Sequence, residues 1–201
     1  MLIINKNDKN SLDVACDFLE EGKIISFATE TVYGLACDAN NKIAIDSIYK
    51  LKKRVPDKPL AIFFNNINHA KKYVKFNRLA DKISQKYLPG PLTIILPKKN
   101  LANFKFVSNF ECDNLAFRIS DDDFAHNLTK KFKSILAVTS ANISGSKAAN
   151  HHDDVKKIFA NLPLDLLICG GYCGSKIPST IIKINDNNFE LIRKGQLTIK
   201  I

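Results

Sequence analysis

Apolar positions recur along this chain in two rhythms, one helical and one extended, which alternate from the N-terminus onward. Ser11 precedes a run in which Ala15, Phe18 and Leu19 share one face, and Gly22 supplies a left-handed stop, so a first helix is expected there. Lys23 to Ala28 then reads as a buried strand. Lys42 to Lys53 returns to the helical period with Ile45, Ile48 and Tyr49 inward, Pro56 and Pro59 bar its continuation, and Leu60 to Phe64 reads as a strand. Leu79 to Leu88 is helical in pattern until Pro89-Gly90-Pro91 breaks it, and the β-branched run Leu92 to Leu96 follows as a strand. Further strands fit Leu115 to Ile119, Ile135 to Val138, Leu166 to Cys169, Thr180 to Ile184, Phe189 to Ile192 and Leu197 to Ile201, with helices near Phe124 to Phe132 and Asp153 to Phe159. The alternation predicts an α/β fold built on a large twisted mixed sheet flanked by helices. No repeat, low-complexity tract or long linker divides it, so residues 1–201 are expected to form a single domain, with Asn100 to Asn114 as a polar surface loop.

Composition adds scale and a field. A chain of 201 residues, 45% of them hydrophobic, buries roughly 70% of its unfolded surface, enough for one core without disulfides. Its 30 Lys and Arg against 20 Asp and Glu leave a net charge of +10, which favours polyanions such as nucleotides, RNA or an anionic membrane without choosing among them. Cys16, Cys37, Cys112, Cys169 and Cys173 include no Cys-x-x-Cys pair, and Met1 to Ile4 is too short to target or span a membrane. A reduced cytoplasmic setting is expected. His69, His126, His151 and His152 lie outside every motif, the adjacent pair reading as a solvated loop before a helix.

The chemistry concentrates where strands end. Thr139-Ser140-Ala141-Asn142-Ile143-Ser144-Gly145 follows the apolar run ending at Val138; it is either a cradle of N–H groups and hydroxyls for an anion, or a turn whose Ser140, Asn142 and Ser144 satisfy only their own backbone. Ala28-Thr29-Glu30-Thr31-Val32-Tyr33-Gly34 offers two hydroxyls, a carboxylate and a phenol, or simply a helix N-cap with Glu30 facing the dipole. Lys52 and Arg54 close a helix where cations are favoured in any case, and beside an anion they would neutralise developing charge. Arg118, flanked by Ala116, Phe117 and Ile119, needs an anionic partner from the protein or from a ligand. Gly170 to Lys176 lacks the spacing of a P-loop, so a nucleotide site here is of another kind.

Taken in order, these segments resemble the threonylcarbamoyl-AMP synthase family, the YrdC-like proteins of tRNA modification. The motifs are Thr29-Glu30-Thr31-Val32-Tyr33-Gly34-Leu35, Lys52-Lys53-Arg54, Pro89-Gly90-Pro91-Leu92-Thr93, Arg118, Ser140-Ala141-Asn142, Ser179-Thr180 and Arg193-x-Gly195. The resemblance implies a YrdC-like domain with a basic concave face, and a nucleotidyltransferase that joins L-threonine, bicarbonate and ATP into threonylcarbamoyl-adenylate with release of pyrophosphate. It implies Thr31, Arg118 and Ser179 around the threonine, and Lys52, Arg54, Ser140 and Asn142 as the catalytic group, holding ATP together with Arg193. Mg²⁺ would accompany the phosphates, without a dedicated metal site, and a threonylcarbamoyl-transferase complex would take the product to tRNA. Ala28 stands where the family usually carries Pro, and the chain resembles the short, single-domain form. Two other functions fit the same residues: a carbamoyl-adenylate-forming domain like that of hydrogenase-maturation proteins, and a non-catalytic module for double-stranded RNA or tRNA.

Overall fold

A computed structural model describes residues 1–55, 58–99 and 113–200. Among these residues ten strands form one sheet in the order β1-β8-β2-β3-β7-β4-β6-β5-β9-β10. They are β1 (Leu2–Asn5), β2 (Ile25–Phe27), β3 (Gly34–Asp38), β4 (Ala61–Phe63), β5 (Leu92–Pro97), β6 (Asn114–Arg118), β7 (Leu136–Ser140), β8 (Leu166–Cys169), β9 (Thr180–Ile184) and β10 (Phe189–Arg193). Parallel pairs (β1 with β8, β2 with β8, β4 with β6, β5 with β9) mix with antiparallel ones. The helices are α1 (Ser11–Glu20), α2 (Lys42–Lys52), α3 (Ile67–Ala70), α4 (Arg78–Tyr87), α5 (Asp123–Lys131) and α6 (His152–Ile158).

Side chains alternate across the sheet, so each strand serves two faces. One face buries Leu35, Ile62, Ile94, Phe117 and Ile182 together with Ile45 and Ile48 of α2, Ala80 and Ile83 of α4, and Val155 of α6. The other buries Phe27, Ala36, Leu136, Val138 and Leu166 beneath Ala15 and Leu19 of α1 and Ala125 and Leu128 of α5. That second cover reaches Phe63 of β4. Beyond it, on the same face, Ala61, Ala116, Ile95 and Ile181 line a cavity instead.

Several details depart from the sequence reading. Asn10 occupies the N-cap position of α1 without a side-chain capping bond, and Ser11 lies inside the helix, its hydroxyl donating to the Lys6 carbonyl at 2.9 Å. No helix follows Thr29 or Thr31, so the N-cap reading fails: the chain turns from β2 straight into the antiparallel β3, a strand the pattern missed along with β1. Leu197 to Lys200 is not a strand; Leu197 instead exchanges hydrogen bonds with the Thr180 hydroxyl through its N–H and carbonyl. His151 is no solvated loop residue but the N-cap of α6, in a reciprocal capping box with Asp154. Pro56, Cys112, most of the Asn100 to Asn114 loop and Ile201 lie outside the described residues. No helix among the described residues is long and apolar enough to cross a membrane.

Candidate active site

The uncovered part of the sheet forms the floor of a 630 Å³ cavity. In-register neighbours pave it: Ala61 opposite Val138, Ile95 opposite Ala116, Thr93 opposite Ile181. Thr31, Arg54, Arg118, Ser140, Ser179 and Arg193, scattered through the sequence, all line its wall. Arg54, Lys58, Arg118 and Arg193 are its cationic lining, and no carboxylate is on the wall among the described residues. An apolar floor with a cationic, hydroxyl-bearing wall suits a planar ring attached to anionic groups.

Arg118 closes the cavity from below at 5% exposure. Its Nη2 pairs with Glu30 Oε1 at 2.6 Å, its Nη1 donates to Thr31 Oγ1 at 3.0 Å, and its Nε donates to the Gly90 carbonyl at 3.2 Å. The anionic partner that the strand's composition demanded is therefore the chain's own Glu30. Burial raises the Glu30 carboxyl, but the Arg118 charge and the Ser120 hydroxyl outweigh it and hold the group below its ordinary range. Thr29 shapes the loop, its hydroxyl donating to the Val32 carbonyl at 2.7 Å and accepting from the Thr31 N–H at 3.2 Å. The Tyr33 phenol, fully buried, donates to the Gly171 carbonyl at 2.9 Å and accepts from the Gly170 N–H at 3.0 Å, tying this loop to the glycine-rich segment.

The Lys52-Lys53-Arg54 segment divides its cations. Lys53 adopts a left-handed conformation (φ 50), and the Arg54 N–H bonds back to the Tyr49 carbonyl at 2.9 Å, ending α2 with a sharp reversal. Lys52 consequently points behind the cavity wall, 1% exposed, where its ammonium donates to the Ser140 carbonyl, the Asn142 carbonyl at 2.8 Å and Asn142 Oδ1 at 2.9 Å. Burial, then the charge of Arg54, lower its pKa to about 7. Arg54 turns the other way, donating to the Lys58 carbonyl at 2.8 Å and the Pro59 carbonyl at 3.1 Å on the cavity rim.

Lys52 and Asn142, expected at the nucleotide, are thus absent from the wall and support it from behind. The turn after β7 is also not an open cradle. The N–H groups of Ala141, Asn142 and Ser144 bond to the Tyr33, Ser140 and Lys52 carbonyls, and Asn142 Nδ2 binds the carbonyls of Ile143 and Ser146. Of this segment Thr139 and Ser140 reach the cavity, the Ser140 hydroxyl donating to Asn142 Oδ1 at 2.7 Å.

Arg193 completes the wall from β10. Its Nε and Nη2 donate to the Ser179 carbonyl at 3.0 and 2.9 Å, and Nη2 also to the Ser179 hydroxyl at 3.1 Å, while that hydroxyl meets Thr93 Oγ1 at 2.8 Å. Burial, and then Arg118 and Arg54, depress the Arg193 pKa; the three guanidinium charges act on one volume. Gly195 permits this arrangement: a Cβ there would lie 2.3 Å from the Thr180 backbone nitrogen and 2.5 Å from the Pro178 carbonyl oxygen.

Residues 17–195 match the model of a protein family designated Sua5_yciO_yrdC and described as Telomere recombination. A provisionally named threonylcarbamoyl-AMP synthase of Methanocaldococcus jannaschii is 39% identical over 179 residues, 89% of this chain and 83% of its own. The threonylcarbamoyl-AMP synthase of Psychromonas ingrahamii is 32% identical over 186 residues, 90% of this chain and 95% of its own. The crystal structure of P. abyssi Sua5 complexed with L-threonine superposes with a TM-score of 0.90 at 30% identity, over 98% of this chain and 58% of that one.

Proposed function

Because the chain belongs to the Sua5, YciO and YrdC family, we propose that it is a nucleotidyltransferase making threonylcarbamoyl-AMP and pyrophosphate from L-threonine, bicarbonate and ATP. The observation that carries this reading is the single cavity in which Thr31, Arg118 and Ser179 meet Arg54, Ser140 and Arg193 over an apolar floor. The chemistry asks for no protein nucleophile. The threonine amine takes up bicarbonate with loss of water to give a carbamate; a carbamate oxygen then bonds to the α-phosphorus as the bond to the pyrophosphate oxygen breaks. What the protein supplies is placement and opposite charge.

Arg118, bonded to Thr31, holds the threonine carboxylate, and Ser179, held by Arg193 on the same cavity wall, completes the threonine site. Arg54, Arg193 and the Ser140 hydroxyl hold the nucleotide, and Lys52 with Asn142 fixes the turn that presents Ser140. The wall carries cations and hydroxyls and no carboxylate among the described residues, so Mg²⁺ would be held by the nucleotide phosphates rather than by a protein metal site. The adenylate passes to a threonylcarbamoyl-transferase complex acting on tRNA. Incubation with ATP, Mg²⁺, bicarbonate and each amino acid in turn, with products read by mass spectrometry, tests the reading. Threonine-dependent pyrophosphate release together with the mixed adenylate is expected. Salt-sensitive RNA binding without that release overturns it in favour of a binding module.

A further inference from the structure

All three guanidinium nitrogens of Arg118 are held, each by a different residue: Nη2 by Glu30, Nη1 by Thr31 and Nε by the Gly90 carbonyl. Among the described residues hydrogen bonds use two of the five N–H donors, Nη1 to Thr31 and Nε to Gly90, while Nη2 and Glu30 Oε1 meet as an ion pair at 2.6 Å with no hydrogen bond to either atom. Glu30 is pinned just as firmly. Its second carboxylate oxygen accepts from the Ser120 hydroxyl, and its carbonyl accepts from the Ser175 N–H at 3.0 Å. Gly174 passes so close that a Cβ would sit 2.9 Å from that same carbonyl oxygen. Arg118 and Glu30 therefore sum to zero charge within a buried, fixed pair.

Arg193 lies three strands away in the sheet order and differs in kind. Among the described residues its guanidinium donates only to Ser179 oxygens, neutral acceptors that leave its positive charge uncompensated. One cavity thus contains a charge-balanced corner and a cationic one.

The geometry points to Glu30 as a positioning and specificity-determining residue: by pairing with Arg118 it reserves that corner for the carboxylate of a net-neutral amino-acid zwitterion and leaves polyphosphate to the corner of Arg193. This rests on the proposed synthase reading. An uncompensated Arg118 would attract the multiply charged phosphate chain far more than a zwitterion, whereas a compensated one offers oriented donors with a weaker field. Discrimination then comes from a repulsive element, the Glu30 carboxylate, as much as from the attractive one.

The test is to titrate L-threonine and inorganic pyrophosphate separately, and in competition, into the wild-type chain, Glu30→Gln and Glu30→Asp. Glu30→Gln is expected to tighten pyrophosphate binding at least tenfold relative to threonine and to let pyrophosphate displace threonine, and Glu30→Asp to return the ratio to within threefold of wild type. An unchanged ratio in a folded Glu30→Gln overturns the inference while leaving the synthase reading intact. Should Glu30→Gln fail to fold, the wild-type chain decides: saturating pyrophosphate must leave threonine affinity within threefold, and a tenfold loss overturns the inference. Absence of threonine binding to the wild-type chain overturns the synthase reading and this inference with it.

Discussion

Lys52 and Arg118 are both cations withdrawn from water, at 1% and 5% exposure, yet the protein surrounds them with opposite chemistry. Lys52 sits among neutral carbonyl oxygens of the turn after β7 and does not reach the cavity. Arg118 sits against a carboxylate and forms part of the cavity itself. A buried ammonium with its donors matched to carbonyls organises backbone; a buried guanidinium that keeps spare planar donors after pairing can still receive a ligand. Placement, more than residue type, separates a wall support from a binding group.

The comparison is broken most forcefully at Arg118. Arg118→Ala strands Glu30 as an unpaired buried charge, so the loss in stability should be about 3–5 kcal/mol, measured by urea unfolding. Adding Glu30→Gln should recover a large part of it. A loss under about 1 kcal/mol from Arg118→Ala would show that the pair is not the internal anchor described here.

Lys52→Met should cost somewhat less, about 2–3 kcal/mol, because it strands neutral acceptors and no charge. Its effect on pyrophosphate release should fall on threonine and ATP requirements together, since the whole Ser140 turn loses its support. A rise confined to one substrate would place Lys52 in contact with that substrate.

The sheet was largely legible in the sequence because most of its strands are apolar runs bounded by Gly, Pro or polar residues. β1 and β3 were not: β1 is exposed at Leu2 and Ile3, and β3 (Gly34–Asp38) opens on a glycine and ends on an aspartate. The sequence grouped Thr31, Arg54, Arg118, Ser140, Ser179 and Arg193, which line one cavity, with Lys52 and Asn142, which do not, and it showed no division of labour. Lys-x-Arg reads as two equivalent cations on one helix end, and only the left-handed Lys53 sends Lys52 behind the wall and Arg54 onto it. Likewise nothing local links Glu30 to Arg118, which meet across 88 positions of chain through the neighbouring placement of β6 and the β2–β3 loop.

Acidity and alkalinity sharpen the contrast in separate windows. Glu30 is held below its ordinary 4.5, so the stability it contributes is complete above that value and is lost as pH falls through the lower folded one; the gap between wild type and Glu30→Gln should narrow as the pH falls below 4.5. Lys52 is lowered from 10.5 to about 7, so between these values the unfolded chain binds more protons and stability should rise with pH, by up to ~1.4 kcal/mol per unit. Lys52→Met should lack that rise. Persistence of the rise in the variant would mean that another group causes it, and its absence from the wild-type chain would mean that the carbonyl acceptors keep the Lys52 ammonium protonated throughout.

The smallest effect is expected at Ser140, where the two regions meet. Its carbonyl is held by Lys52 and its hydroxyl, on the cavity wall, donates to Asn142 Oδ1. Ser140→Ala keeps the carbonyl contact and removes one partly buried neutral hydrogen bond, so stability should fall by only about 1 kcal/mol. If the hydroxyl also serves the nucleotide, the ATP requirement should rise about tenfold with the threonine requirement unmoved, a contact to a charged group being worth about 1.5–3 kcal/mol. Steady-state pyrophosphate release with each substrate varied in turn measures both. Equal shifts would assign Ser140 to the Lys52 region, as wall alone; an ATP-specific shift assigns its hydroxyl to the cavity.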